Sequence, residues 1–156
     1  MGIDFDWLGK EILDRNLSEN DRSVLDALMT VRDFAKSETI VSQGQPGGTL
    51  YVLRSGMADV ETDANGDRIH IAVAGEGALF GEMTFLTNEA ASAHVTAKQD
   101  CVVYKLTHDG LSQLMTNHQD LVYALIAYML LYSSKVIRGM NEKHISMLHY
   151  ITGRRL

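Results

Sequence analysis

The sequence contains few of the residues that mark disulfide-linked, linker-rich or nucleic-acid-binding proteins. Among 156 residues there is a single cysteine, Cys101, which excludes an internal disulfide and is typical of a reducing compartment. A single proline, Pro46, excludes a proline-rich linker. Basic residues are outnumbered 14 to 20, and a net charge of −6 makes non-specific binding of nucleic acid unfavourable.

Targeting and membrane signals are also lacking. The first ten residues have no basic block followed by an apolar block, and Asp6 stands where a myristoylation motif carries Ser or Thr. The longest apolar run, residues 121–132, has 12 residues, whereas a membrane-spanning helix needs about 20. We therefore expect a cytoplasmic chain without a membrane span.

Catalytic and metal-binding patterns are missing as well. There is no nucleophile-elbow motif, and Cys101 precedes Val102 in an apolar strand, where a buried and unreactive thiol is expected. The six histidines are scattered without metal-ligand spacing, and the glycines of residues 75–81 have the wrong spacing for a dinucleotide loop. We expect neither an enzyme nor a metal site.

The periodicity of apolar residues changes twice and divides the chain into three parts. Residues 1–30 have helical spacing, and Ser18 followed three residues later by Asp21 predicts a capped helix. Residues 31–117 alternate with period two between glycine-containing turns, which is typical of strands. Residues 118–156 predict a long helix and a tail. The fold class expected is therefore α+β, an antiparallel β-roll or jelly roll of about eight strands flanked by N-terminal helices and a long C-terminal helix.

The segment that carries chemical information spans residues 77–86. A glycine corner leads to Phe80, Gly81 and Glu82, which open a short apolar turn of helix. The free amide groups of such a turn favour an anion, whereas the carboxylate of Glu82 suits the hydroxyl groups of a sugar. A ligand between this turn and the next strand would also meet the Ser92 hydroxyl.

Four motifs lie along the chain: Gln43-Gly44-x-Pro46-Gly47, Leu50-Tyr51-Val52-Leu53-x-Ser55-Gly56, Gly77-x-x-Phe80-Gly81-Glu82-Met83-x-Phe85-Leu86 and Ala93-x-Val95-x-Ala97. Together they resemble the cyclic nucleotide-binding domain family, which includes catabolite activator proteins and the regulatory subunits of protein kinase A. The resemblance covers roughly residues 25–140.

The resemblance implies binding of cAMP or cGMP without a further cofactor, through Phe80, Gly81, Glu82, Met83, Ala91 and Ser92. Ala91 stands where the family carries an arginine that pairs with the cyclic phosphate. A charge-assisted hydrogen bond contributes about 1.5–3 kcal/mol, so its loss weakens affinity by roughly 10- to 150-fold. Ala91 leaves three alternatives: a degenerate pocket, a different ligand, or a cation supplied from elsewhere, such as Lys98, Arg54 or a partner subunit.

The C-terminal helix carries an apolar stripe wider than one core contact needs. In the resembling family this helix pairs with its twin and covers the ligand, which implies a homodimer through Leu121, Leu125, Tyr128 and Tyr132. An ungapped register with the family places Val136 and Ile137 near the purine, and a slip of three residues would offer Ser133 and Ser134 instead. The 16 residues after Met140 are too few for the DNA-reading helices of the activators, so no DNA binding is expected.

The sequence thus predicts a non-catalytic regulatory module that senses cAMP or cGMP with weakened affinity and signals through its C-terminal helix. The alternative is a ligand-independent dimerisation or docking module of the same fold. In either case the chain is expected to be part of a larger protein, or docked to one.

Overall fold

A computed structural model of the chain describes residues 2–152. The N-terminal part is helical, and side chains there accept hydrogen bonds from the free amides at the helix N-termini. Helix α1, Phe5–Trp7, begins where the carboxylate of Asp4 accepts from the amide of Trp7, and it continues into a π-helical turn, Leu8–Ile12. Helix α2, Glu19–Leu28, begins with the capping box predicted from Ser18 and Asp21: each side chain accepts from the other residue's amide.

Eight strands follow and form two four-stranded antiparallel sheets, which confirms the predicted fold class. The strands are β1 Met29–Phe34, β2 Thr39–Val41, β3 Thr49–Ser55, β4 Ala58–Ala64, β5 Asp67–Ala74, β6 Leu79–Phe80, β7 His94–Ala97 and β8 Cys101–Thr107. One sheet has the order β1-β8-β3-β6 and the other, the second sheet, has the order β2-β7-β4-β5. The short helix α3, Glu82–Thr87, lies between β6 and β7 in the chain.

Strand β3 is buried on both faces and separates two hydrophobic cores. Leu50 and Val52 face the core beneath the helices, whereas Tyr51 and Leu53 face the core between the two sheets. A strand covered on both sides has an apolar run instead of an alternating pattern, as the sequence of β3 has. The position of β3 therefore fixes the helices and the second sheet relative to each other.

Two helices follow β8 in the described residues. Helix α4, His108–Asn117, is capped by Thr107, whose hydroxyl accepts from the amide of Gly110. Helix α5, Gln119–Thr152, is long and apolar enough, by length and composition alone, to cross a membrane. Its first turns are covered by the chain itself, because Leu121 and Leu125 are buried in the core beneath the helices.

The residues expected at a dimer interface thus lie largely inside the monomer. Leu121 is 1% exposed and Leu125 is 7% exposed, while Tyr128 and Tyr132 are half-buried against the same core. A wide apolar stripe does not reveal which of its sides packs internally. The structure assigns this side of α5 to intramolecular packing, and a second copy would have to contact another side.

An ion-pair cluster fastens α1 to the β-roll. The guanidinium of Arg54 lies 2.9 Å from the carboxylate of Asp4 and 3.2 Å from that of Glu76. It also lies 4.8 Å from the centroid of the Trp7 ring, and the indole N–H of Trp7 donates to Glu76. Because Glu76 lies between β5 and β6, the cluster connects the N-terminal helix to that loop.

A close approach at Gly47 brings the β2–β3 loop against α3. A Cβ atom at this position would overlap the carbonyl oxygen of Glu89 and lie 2.7 Å from the Cβ of Thr84. The amide of the next residue, Gly48, donates to the carbonyl of Thr84 at 3.3 Å. The loop can therefore pack against α3 only if residue 47 has no side chain.

We expect the substitution Gly47→Ala to lower the free energy of unfolding by about 1–3 kcal/mol, the usual cost of overpacking. Urea denaturation followed by circular dichroism measures the change. Gly75→Ala is the matched control, because a Cβ at Gly75 meets no atom within 4 Å and that residue does not need a left-handed conformation. Equal stability of the two variants would contradict the close approach.

Candidate functional site

A cavity of about 490 Å³ lies between the second sheet, α3 and α5. This volume is in the range of small-molecule sites, about 300–1,000 Å³. Apolar side chains from β2, β4, β5 and β7 form much of its wall, among them Val41, Val60, Ile71 and Val95. The polar side chains that line it come from the loop between β5 and β6, from α3, from the segment before β7 and from α5.

All six residues predicted to bind a ligand line this one cavity: Phe80, Gly81, Glu82, Met83, Ala91 and Ser92. Main-chain hydrogen bonds bring the two parts of this set together. The amide of Gly44 donates to the carbonyl of Ala91 at 2.7 Å, and the amide of Ala91 donates to the carbonyl of Gln45 at 2.9 Å. The β2–β3 loop thus holds residue 91 beside the cavity.

Gly81 makes the sharp turn from β6 into α3. Its φ of +74° is left-handed, and a Cβ there would lie 2.6 Å from the carbonyl oxygen of Thr49. Only glycine meets both requirements without strain. The turn places Glu82 in the cavity wall, while the following side chain, Met83, is 67% exposed at the rim.

Glu82 is a half-buried carboxyl group without a cationic partner among residues 2–152. Burial raises its pKa, and a hydrogen bond from its own amide offsets only part of this rise. Burial also raises the pKa of the Tyr132 phenol on α5, and the negative charge of Glu82 adds to that rise. The two walls of the cavity are therefore electrostatically coupled.

The two replacement cations named from the sequence lie elsewhere. Arg54 is paired with Asp4 and Glu76, and Lys98 lies 3.4 Å from the carboxylate of Asp59. Neither residue lines the cavity. Those two expectations were wrong, because their side chains are occupied by acidic groups outside the site.

Sequence reasoning missed the cavity residues of α5, notably Lys135, Gly139 and Lys143. Their four-residue spacing on one side of a helix was a signal that could have found them. Of the residues named for the purine position, Val136 lines the cavity, whereas Ile137 is 57% exposed and is not part of the lining. The ungapped register is the one that places a named residue in the wall.

Helix α5 is bonded directly to the cavity wall. The phenol of Tyr128 donates to the carbonyl of Gly77 at 2.8 Å, and Gly77 lies between Glu76 and Ala78, which both line the cavity. Tyr128 and Tyr132 stack with their ring centroids 6.4 Å apart. A shift of α5 would therefore disturb the loop between β5 and β6.

The described residues contain no group of three or more metal-ligating side chains. Cys101 is buried, burial raises the pKa of its thiol, and the thiol donates to the carbonyls of Met57 and Gln99. A thiol in this state is a poor nucleophile.

A left-handed glycine turn, a carboxylate in an apolar cavity and a helix across its mouth form a distinctive combination. The family model for the cyclic nucleotide-binding domain matches residues 31–118, more than half of the chain. The chain belongs to the cyclic nucleotide-binding domain family. The matched residues run from β1 through α4.

Curated relatives agree with this assignment. The chain is 30% identical over 132 residues to a cGMP-dependent protein kinase of Eimeria tenella, a match that covers 85% of this chain and 13% of the kinase. It is 32% identical over 99 residues to a cAMP-dependent protein kinase regulatory subunit of Aspergillus niger, covering 64% of this chain and 23% of the subunit. The chain thus spans less than a third of the length of these relatives.

A solved structure shows the same fold. A cyclic nucleotide-binding domain from Methylobacillus flagellatus superposes with a TM-score of 0.79 at 23% sequence identity. The match covers 91% of this chain and 85% of that chain. The architecture is therefore shared over nearly the whole length of both chains.

Replacing Glu82 with Gln is expected to stabilise the chain at neutral pH. Because the folded-state pKa of Glu82 lies above its unfolded value, the folded chain binds more protons, and stability falls as the pH rises through this window. Glutamine removes this loss. Thermal unfolding at about pH 4 and about pH 7 should show a gain for the variant only at the higher pH. The exposed Glu89→Gln should show none; an equal gain there would refute the burial argument.

Proposed function

We propose that this chain is a non-catalytic regulatory module that binds cAMP or cGMP in the cavity beside Glu82, with an affinity weakened by the alanine at position 91. The observation that carries the proposal is that one cavity, in a domain of this family, is lined by all six residues of the predicted set. The names of the relatives support the ligand class, since they are called cGMP-dependent and cAMP-dependent.

The polar groups have separate roles in this proposal. Glu82 accepts hydrogen bonds from the ribose hydroxyl groups, and these bonds offset the free-energy cost of burying its charge. Ser92 supplies a hydroxyl, and the apolar strands of the second sheet cover the base. Ala91 offers no charge to the phosphate, so the missing charge-assisted bond weakens binding by about 10- to 150-fold.

Signalling in this proposal runs through α5. A ligand that contacts both the α3 wall and the α5 wall favours the arrangement in which the two are close, which shifts the population of α5 positions. The bond from Tyr128 to Gly77 supports this route, because it joins the helix to the loop beside the ligand.

In this proposal the exposed side of α5 forms a homodimer contact, and this contact is the surface through which the signal leaves the domain. Tyr123, Ile126, Leu130 and Ile137 are exposed and recur at spacings of three, four and seven residues. Such a stripe matches its own copy across a two-fold axis, as in helix pairs. Leu121 and Leu125 support this contact from inside, because they fix the helix on the core.

The competing function is a ligand-independent dimerisation or docking module, and Ala91 is the observation that favours it. In both cases the module acts within, or docked to, a larger protein, as the small share of each relative that it matches suggests. A cytoplasmic site of action is part of the proposal and is supported by the single, buried thiol.

Isothermal titration with cAMP and cGMP tests the ligand. We expect weak binding by the natural chain and an affinity about 10- to 150-fold higher for Ala91→Arg, because arginine restores the charge-assisted bond to the phosphate. Ala90→Arg is the matched control, since Ala90 is exposed and outside the cavity lining.

No heat at about 1 mM nucleotide, where a site worth about −4 kcal/mol is half filled, would reject the sensor. The docking module would then be the better description. Equal gains for the two arginine variants would show that the added charge acts non-specifically instead of in the cavity.

Analytical ultracentrifugation tests the dimer. We expect the natural chain to sediment as a dimer and Leu130→Asp to sediment as a monomer, because a charge in the middle of an apolar contact is costly to bury. Leu131→Asp is the matched control: both leucines are 68% exposed, but Leu131 lies off the stripe. A dimer that survives Leu130→Asp, or a natural chain that is monomeric, would contradict the proposed contact.

A further inference from the structure

Among the described residues 2–152, two cationic side chains line the cavity, and both come from α5. Lys135 and Lys143 line the wall that faces the sheet and α3, and no arginine of these residues does. The acidic residues in this lining are Glu76 and Glu82. Glu76 pairs with Arg54, which it shares with Asp4, whereas Glu82 has no cationic partner among residues 2–152.

The two lysines are placed symmetrically about a glycine. Lys135, Gly139 and Lys143 are four residues apart, so they lie in a row on one side of the helix. The lysine backbones are about 12 Å apart along the axis, and each side chain has a flexible four-carbon stem. Two such ammonium groups can converge on one phosphate above the glycine.

Gly139 leaves space for a ligand between them. A Cβ at this position would have no neighbour within 4 Å outside its own helix, so no packing contact requires a glycine there. A glycine inside a helix makes the helix less stable than alanine would. The missing side chain keeps this part of the cavity wall open.

The lysines also have no competing partners. Neither forms an ion pair with an acidic side chain of residues 2–152. The acid nearest in sequence is Glu142, which precedes Lys143 and lies outside the cavity lining. Both ammonium groups are therefore free to neutralise an anion in the cavity.

We propose that Lys135 and Lys143 hold the phosphate of an anionic cyclic nucleotide, so that α5 supplies part of the charge missing at Ala91. This inference rests on the proposed function, because it assigns the phosphate-binding residues of the same cavity. The ribose stays with Glu82 on the opposite wall, where a cation is not needed. The ligand then contacts both walls, with its ribose at Glu82 and its phosphate at the lysines of α5.

The assignment makes the moving helix part of the site. In this arrangement the two lysines reach the phosphate only when α5 lies over the cavity. The ligand therefore binds more tightly to the chain with α5 over the cavity than to the chain with α5 away from it, and the lysines account for the difference. Because both ammonium groups are exposed, added salt screens them, and the affinity falls as ionic strength rises.

Isothermal titration of the full chain with cAMP, cGMP and the uncharged nucleoside adenosine tests the assignment. We expect the double variant Lys135→Ala with Lys143→Ala to bind the cyclic nucleotides at least about 10-fold more weakly, the lower limit for a lost charge-assisted bond. It should also lose most of the salt dependence. Replacing both lysines with Arg should preserve the affinity, because the charge is kept.

The matched control is the double variant Arg138→Ala with Lys98→Ala, which removes two cations outside the cavity lining. It is expected to bind like the natural chain and thereby excludes an effect of net charge. Adenosine, which has no phosphate, should bind the natural chain and the lysine variants with equal affinity. Circular dichroism of every variant confirms that the fold is retained.

The outcomes separate the two proposals. If the natural chain binds cyclic nucleotide and the lysine variant binds it equally well, the phosphate assignment is overturned while the proposed function stands. If the natural chain binds no cyclic nucleotide, both are overturned. A loss of affinity that is equal in the lysine variant and in its control would also overturn the assignment, because the effect would be one of overall charge.

Discussion

The organising constraint of this molecule is an unpaired carboxylate in an apolar cavity. Glu82 is held there by the left-handed turn at Gly81, and burial raises its pKa. A folded chain keeps such a group at a cost in stability. In the proposed function, this cost is offset when ribose hydroxyl groups donate hydrogen bonds to the carboxylate.

The main-chain bonds that hold residue 91 beside the cavity do not depend on the residue type there. They run from the amide of Gly44 to the carbonyl of Ala91 and from the amide of Ala91 to the carbonyl of Gln45. Any residue except proline can make both bonds. The side chain of Ala91 is buried in the core between the two sheets, so this position contributes main-chain geometry and no charge to the cavity wall.

The sequence predicted those parts of the fold that depend on local chemistry. The capping hydroxyl of Ser18, the strands with alternating apolar residues and the turn at Gly81 are determined by residues nearby in the sequence, and the structure contains all three. The partition of α5 was not predictable in this way. A wide apolar stripe does not say which side faces the core, so Leu121 and Leu125 were assigned to a dimer contact, and the lysines of the cavity wall were overlooked.

Helix α5 connects three surfaces because its 34 residues form one continuous element. Its beginning is anchored in the core through Leu121, its middle lines the cavity through Lys135, and its exposed stripe is centred on Leu130. A helix bends only gently unless a proline or a defect interrupts it, and the one proline of the chain is Pro46. In the proposed function, a shift of α5 at the cavity is therefore carried along the helix to the exposed stripe instead of being absorbed locally. A charge supplied by α5 would place the ligand directly on that helix, whereas an arginine at position 91 would place it on the wall that the β2–β3 loop holds.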